Sequence, residues 1–226
     1  MVMTLLGHVR THGQPVHVTA AGHQLEGDLT VPADARGIVV FAHGSGSSRF
    51  SPRNQYVASV LHEAPLATLL LDLLTPDEDA IDTRTGHLRF DTDMLAERLV
   101  AVMDWIERLP AMAALPLGLF GASTGAAAAL LAAASRAETV RAVVSRGGRP
   151  DLAKLALDHV RAPTLLIVGG NDLDVLQLNQ RAMAQLHTEV KLVVIPGASH
   201  LFEEPGALEE VAQLASDWFI KYLERT

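Results

Sequence analysis

The chain has no cysteine in its 226 residues. That absence excludes disulfides, thiolate metal sites, iron–sulfur clusters and a cysteine nucleophile, so any covalent chemistry must use another side chain. Lysine is scarce: Lys154, Lys191 and Lys221 are all there is among 18 basic residues, the rest being arginine. Positive charge is outweighed too, since 26 Asp and Glu leave a formal net charge of −8, which argues against a nucleic-acid backbone as partner. No long hydrophobic run exists. The Ala-rich stretch 126–134 is the longest candidate and falls far short of the ~20 residues of a membrane span. The start, MVMTLLGHVRTHG, lacks the basic region of a signal peptide, so cytoplasmic residence is the expectation.

What is present is 49% hydrophobic residues, enough for one large core, with no linker, repeat or low-complexity tract to divide residues 1–226 into more than a single domain. From residue 37 onward, short apolar runs alternate with longer amphipathic ones. The strand-like runs are 38–42, 67–74, 116–120, 141–145, 164–169 and 191–196, apolar at consecutive positions as strands covered on both faces should be. Helical stretches fall at about 52–63, 92–108, 124–135, 173–186 and 206–223. In the second of these, Leu95, Leu99, Val102, Met103 and Ile106 recur at three- and four-residue steps and define a buried face. Residues 8–32 alternate polar and apolar positions between scattered glycines, which predicts an antiparallel hairpin on the sheet edge. Its histidines, His8, His12, His17 and His23, lack the close pairing of a metal motif and read as solvated strand or turn residues. The expected architecture is α/β: a mostly parallel sheet of about eight strands, helices on both faces and no room for a large cap domain.

At the end of the 116–120 strand the chain reads FGASTGAAAAL, which contains Gly121-x-Ser123-x-Gly125 between a strand and an Ala-rich helix. That setting exposes the serine on a sharp turn, where side chains at 121 and 125 would collide with neighbouring backbone. Serine is a poor nucleophile at neutral pH and needs a base, which needs an orienting acid. Two later loops offer them. GGNDLDV at 169–175 carries Asp172 and Asp174, and GASHLFEEP at 197–205 carries His200. Each follows the carboxyl end of a successive strand, so Ser, Asp and His gather on one sheet edge.

On these motifs the chain resembles the α/β-hydrolase superfamily, and within it the dienelactone hydrolase-like branch, from the His43–Gly44 turn through GASTG to the ASH loop at 198–200. The resemblance implies Ser123 as nucleophile, His200 as base and Asp172 as acid. Asp172 is chosen over Asp174 because Gly169, Asp172 and Val175 reproduce the family's G-x-x-D-x-x-V spacing. It further implies an oxyanion hole from the backbone N–H groups of Thr124 and Ser45, and a structural role for His43. Dienelactone hydrolases proper use a cysteine nucleophile, so this chain reads as a serine variant. The implied activity is hydrolysis of a carboxylic ester, lactone or thioester of a small substrate through an acyl-enzyme. It needs no cofactor or metal, and neither nucleic acid nor membrane is a partner. The same triad would serve an acyltransferase or perhydrolase, and the fold also hosts non-catalytic ligand-binding proteins.

Arg49 and Arg53 follow one predicted strand, and Arg146 and Arg149 another, all on the triad side of the sheet. Arginine forks bind carboxylate or phosphate, so Arg49, Arg53 and Arg146 are candidate contacts for an anionic substrate group. The competing reading pairs them with Asp72 and the acidic stretch DEDAID at 77–82. The polar segment 75–90 is expected to be a loop serving as a small lid or pocket wall.

Overall fold

The apolar runs become the inner strands of an eight-stranded sheet, in a computed structural model that describes residues 13–224. In chain order the strands are β1 (Gln14–Ala20), β2 (His23–Thr30), β3 (Gly37–Ala42), β4 (Leu66–Leu71), β5 (Leu117–Ala122), β6 (Val140–Arg146), β7 (Thr164–Gly169) and β8 (Val190–Ile195). Their spatial order is β1-β2-β4-β3-β5-β6-β7-β8, parallel from β4 to β8. Every residue of β3, β4, β5 and β7 is buried, which is why these segments carry no alternation of polar and apolar positions. The predicted hairpin is β1–β2, turned by Ala21 and Gly22 at φ 48° and 81°, and it joins the sheet by antiparallel pairing of β2 with β4. His17 and His23 lie exposed on it, whereas His8 and His12 fall outside the described residues.

Among the described residues six α-helices cover the sheet, α1 (Pro52–Glu63), α2 (Pro76–Thr85), α3 (Thr92–Glu107), α4 (Thr124–Ser135), α5 (Leu173–Met183) and α6 (Ala207–Leu223), with a 3-10 stretch at Pro150–His159. Val57 and Leu61 of α1 meet Val211, Ala215 and Phe219 of α6 on one face, over Val39, Phe41, Phe120 and Val144. Leu95, Leu99, Val102, Met103 and Ile106 of α3 join the alanines of α4 on the other, over Val40, Leu69 and Leu119. Among the described residues no helix is long and apolar enough to cross a membrane.

The segment 75–90 departs from expectation. It is α2 followed by a 3-10 turn at Leu88–Phe90 rather than a loop. Thr75 accepts from the Glu78 N–H at 3.3 Å, Glu78 returns the bond to the Thr75 N–H at 2.8 Å, Pro76 opens the helix, and Gly86 closes it at φ 69°. The helix has no apolar face, so periodicity could not reveal it, although its Thr-x-x-Glu capping box stands in the sequence. As a pocket wall the segment does serve: Asp79, Thr83 and Arg89 line a cleft with Gly46, Ser48 and Phe50.

Candidate active site

Ser123 stands between the last residue of β5 and the first of α4, at φ 50° and ψ −120°. A non-glycine residue there costs on the order of 1–3 kcal/mol, so the surroundings must hold it. They do so from both sides. The Ser123 N–H donates to the Arg146 carbonyl at 3.2 Å, and the Ser123 carbonyl accepts from the Arg149 N–H at 3.0 Å. The flanking glycines leave room for nothing larger. A Cβ on Gly121 would lie 2.4 Å from Ala126 Cα, and one on Gly125 would lie 2.2 Å from the Ala42 carbonyl oxygen. The Ser123 hydroxyl itself makes no hydrogen bond with another described residue.

Asp172 and His200 come from the loops after β7 and β8. Asp172 occupies the N-cap position of α5 but makes no cap bond; its Oδ2 lies 2.6 Å from His200 Nδ1. With Nδ1–H donating to the carboxylate, the other ring nitrogen, Nε2, is left as an acceptor. The ring lies against the turn that follows β6. A Cβ on Gly147, the residue after Arg146, would sit 3.4 Å from His200 Cε1. Asp174 is exposed in the first turn of α5, where its charge favours the helix N-terminus, and takes no part. The His200 loop is tied down by Glu204, whose carboxylate accepts from the Ser199 N–H at 3.0 Å, and by Phe202, which is 1% exposed in the α1–α6 core. The Ser199 N–H bond also draws the Glu204 carboxyl below its usual range.

Thr124 is the first residue of α4, so its N–H has no partner in the helical ladder. The Ser45 N–H likewise has no acceptor among the described residues. The turn that carries it passes close to the elbow, since a Cβ on Gly44 would lie 3.0 Å from Ser123 Cβ. His43 is fully engaged. Its Nδ1 lies 2.9 Å from the Gly44 carbonyl and its Nε2 accepts from the Leu73 N–H at 3.0 Å, which fixes one neutral tautomer. Burial lowers its pKa and keeps the ring neutral.

The arginines divide. Arg49 is corrected as a substrate contact: it is held by Asp72, by Glu26 at 2.7 Å and by Asp28 at 3.5 Å, three carboxylates that consume its fork. Arg149 is bound bidentately by Asp151, both bonds 2.8 Å. The acidic stretch is satisfied by arginines absent from the expected set: Glu78 by Arg98 and the buried Asp82 by Arg89. Arg53 and Arg146 are less fully engaged. Arg53 Nη1 reaches only to 3.6 Å from Glu203, and Arg146 faces no carboxylate. Sequence reasoning also missed Asn179, fully buried in α5, which donates to the Gly148 carbonyl at 3.0 Å and so fixes the 147–149 turn that cradles Ser123. Its signal was slight, a lone amide on a helix. Among the described residues no group of three or more His, Asp or Glu is placed to hold a metal ion.

The chain is similar to known proteins in sequence and fold. A dienelactone hydrolase from Anabaena variabilis, whose crystal structure is known, is 61% identical, covers 95% of this chain and all of that one, and superposes with a TM-score of 0.93. Est1E from Butyrivibrio proteoclasticus shares the fold at 18% identity, over 93% of this chain and 98% of its own, with a TM-score of 0.77. A Mycobacterium tuberculosis protein named "Putative phosphoribosyl transferase" is 60% identical over 210 residues, 93% of this chain but 46% of the relative. This chain thus spans about half the length of that relative. The model of the dienelactone hydrolase family matches residues 26–224, and the chain belongs to that family.

Proposed function

We propose that the protein is a serine hydrolase of small carboxylic esters, lactones or thioesters, with Ser123 as nucleophile, His200 as base and Asp172 as orienting acid. The observation that carries this reading is the strained serine of the elbow on the same sheet edge as a histidine whose Nδ1 is locked to a carboxylate. His200 Nε2 takes the hydroxyl proton as Ser123 Oγ attacks the ester carbonyl. The Ser45 and Thr124 amides stabilise the oxyanion of the tetrahedral intermediate, each such donor contributing about 3–4 kcal/mol to the transition state. The protonated His200 gives its proton to the departing alcohol, and water, activated by the same nitrogen, releases the acid. Asp172 stabilises the imidazolium throughout without itself taking a proton.

The name of the mycobacterial relative is not carried over, because more than half of that protein lies outside the matched region. An oriented Ser–His pair beside two free amides suits acyl transfer rather than displacement at a sugar carbon. The test is hydrolysis of a panel of p-nitrophenyl esters and lactones by the wild type and by Ser123→Ala. Turnover lost in the variant supports the reading. Undiminished turnover contradicts it.

A further inference from the structure

Six of the described arginines meet a carboxylate within ion-pair range, five of them closely. Arg49, Arg89, Arg98, Arg136 and Arg149 each meet at least one carboxylate within hydrogen-bond distance. Arg53 is the sixth, with Nη1 3.6 Å from Glu203, and Arg146 is buried with none. Arg146 is 8% exposed, its Nη1 is buried without any partner, and no carboxylate lies within ion-pair range of it among the described residues. The charge it feels is a like one, that of Arg53, whose Nε is also buried and unpartnered. Burial and Arg53 together push Arg146 down to about 10, so at neutral pH it remains a cation that nothing on the protein compensates.

The two side chains enter the same layer for a topological reason. Along β6, Ala142 and Val144 point into the α1–α6 layer, so Arg146 two residues on points there too, while Arg53 is the second residue of α1 and enters from above. The Arg146 backbone lies beside the elbow: its carbonyl accepts from the Ser123 N–H, and a Cβ on the next residue, Gly147, would sit 3.4 Å from His200 Cε1.

We propose that Arg53 and Arg146 form a binding site for a phosphate group, either free phosphate or a phosphomonoester carried by the substrate next to its ester. Two guanidiniums near enough for one to feel the charge of the other, each with a buried unpartnered N–H group and with only Glu203 at 3.6 Å from Arg53 against them, call for one ligand that brings two negative charges and several acceptor oxygens. A phosphate does this and a single carboxylate does not. A net charge of −8 makes unspecific attraction of phosphate unfavourable, so binding requires this local pair. That the phosphate belongs to a substrate rests on the hydrolase reading; that the site binds phosphate does not.

The test is calorimetric titration of the whole protein with inorganic phosphate at low ionic strength, with acetate as the monoanion. We expect saturable one-site binding of phosphate, at least tenfold tighter than acetate. Affinity should weaken at least tenfold in Arg53→Gln and in Arg146→Gln, and stay unchanged in Arg181→Gln on the exposed side of α5. Absence of saturable binding to the wild type, equal affinity for acetate, or wild-type affinity in Arg53→Gln overturns the proposal. Arg53 is partly exposed, so that variant keeps the test decisive if Arg146→Gln fails to fold. Comparing p-nitrophenyl esters of propionate and 3-phosphonopropionate then separates the sources. A preference for the phosphonate that disappears in Arg53→Gln assigns the site to substrate, and phosphate binding without such a preference assigns it to the free ion. Because calorimetry needs no turnover, failure of the hydrolase reading leaves the binding result intact.

Discussion

Both ring nitrogens of His43 are in use, one at the Gly44 carbonyl and one at the Leu73 N–H, and this separates it from His200 although both stand near the serine. A base needs a nitrogen free to take a proton, and only His200 has one. His43→Ala should therefore act on stability, leaving a Leu73 N–H unpaired at a cost of about 1–3 kcal/mol in denaturant unfolding. His200→Ala should act on turnover with little loss of stability. Arg146 makes a second prediction at this scale. An uncompensated buried cation costs a few kcal/mol, so Arg146→Met should raise the thermal midpoint in phosphate-free buffer. The sign follows from its lowered pKa. The unfolded chain binds the extra proton only between about 10 and the ordinary arginine value, so below about 10 the cost is constant and the gain should not vary with pH.

At the scale of elements, α2 is joined to α3 through one carboxylate. Glu78 caps the Thr75 N–H and also receives Arg98 Nη1 and Nη2 at 2.7 and 2.6 Å, while Arg98 donates a further bond to the Leu73 carbonyl at 2.6 Å. The Arg98 guanidinium holds the Glu78 carboxyl down to about 2. An acid with a depressed folded-state pKa stabilises above its unfolded value, so this contribution is full above about 4.5 and fades as pH falls toward about 2. Glu78→Gln should cost about 3 kcal/mol at pH 7, because it strands a nearly buried arginine, and should flatten the acid limb of a stability–pH profile. Thr75→Ala, which removes only the cap, should cost about 1 kcal/mol. These elements also mark where the sequence could and could not be read. The buried strands and α3 announce themselves because an apolar face is a local property of the chain. The helix at 76–85 does not, since its stability comes from capping and from an ion pair with a residue twenty positions away. The elbow was legible because Gly121 and Gly125 answer a steric demand within five residues. The partners of Arg49, by contrast, come from β2 and from the end of β4, and no local pattern joins them.

For the molecule as a whole, the sheet order brings the loops after β3, β5, β7 and β8 to one edge, so that the proposed nucleophile, base, acid and amide donors converge there from four separate stretches of chain. Their arrangement depends on backbone crossing beneath the elbow, where Gly125 passes the Ala42 and His43 carbonyls. Gly125→Ala should accordingly push the 42–46 turn away, costing several kcal/mol and most of the turnover together. With no cysteine in the sequence, the proposed covalent step falls to Ser123, and that is the centre of the account. Its most direct test is incubation of the folded protein with a fluorophosphonate, followed by intact mass and peptide mapping. The account predicts a single adduct on Ser123, absent in Ser123→Ala and formed far more slowly in His200→Ala. A folded protein that gains no adduct, or one that maps to another residue, contradicts it.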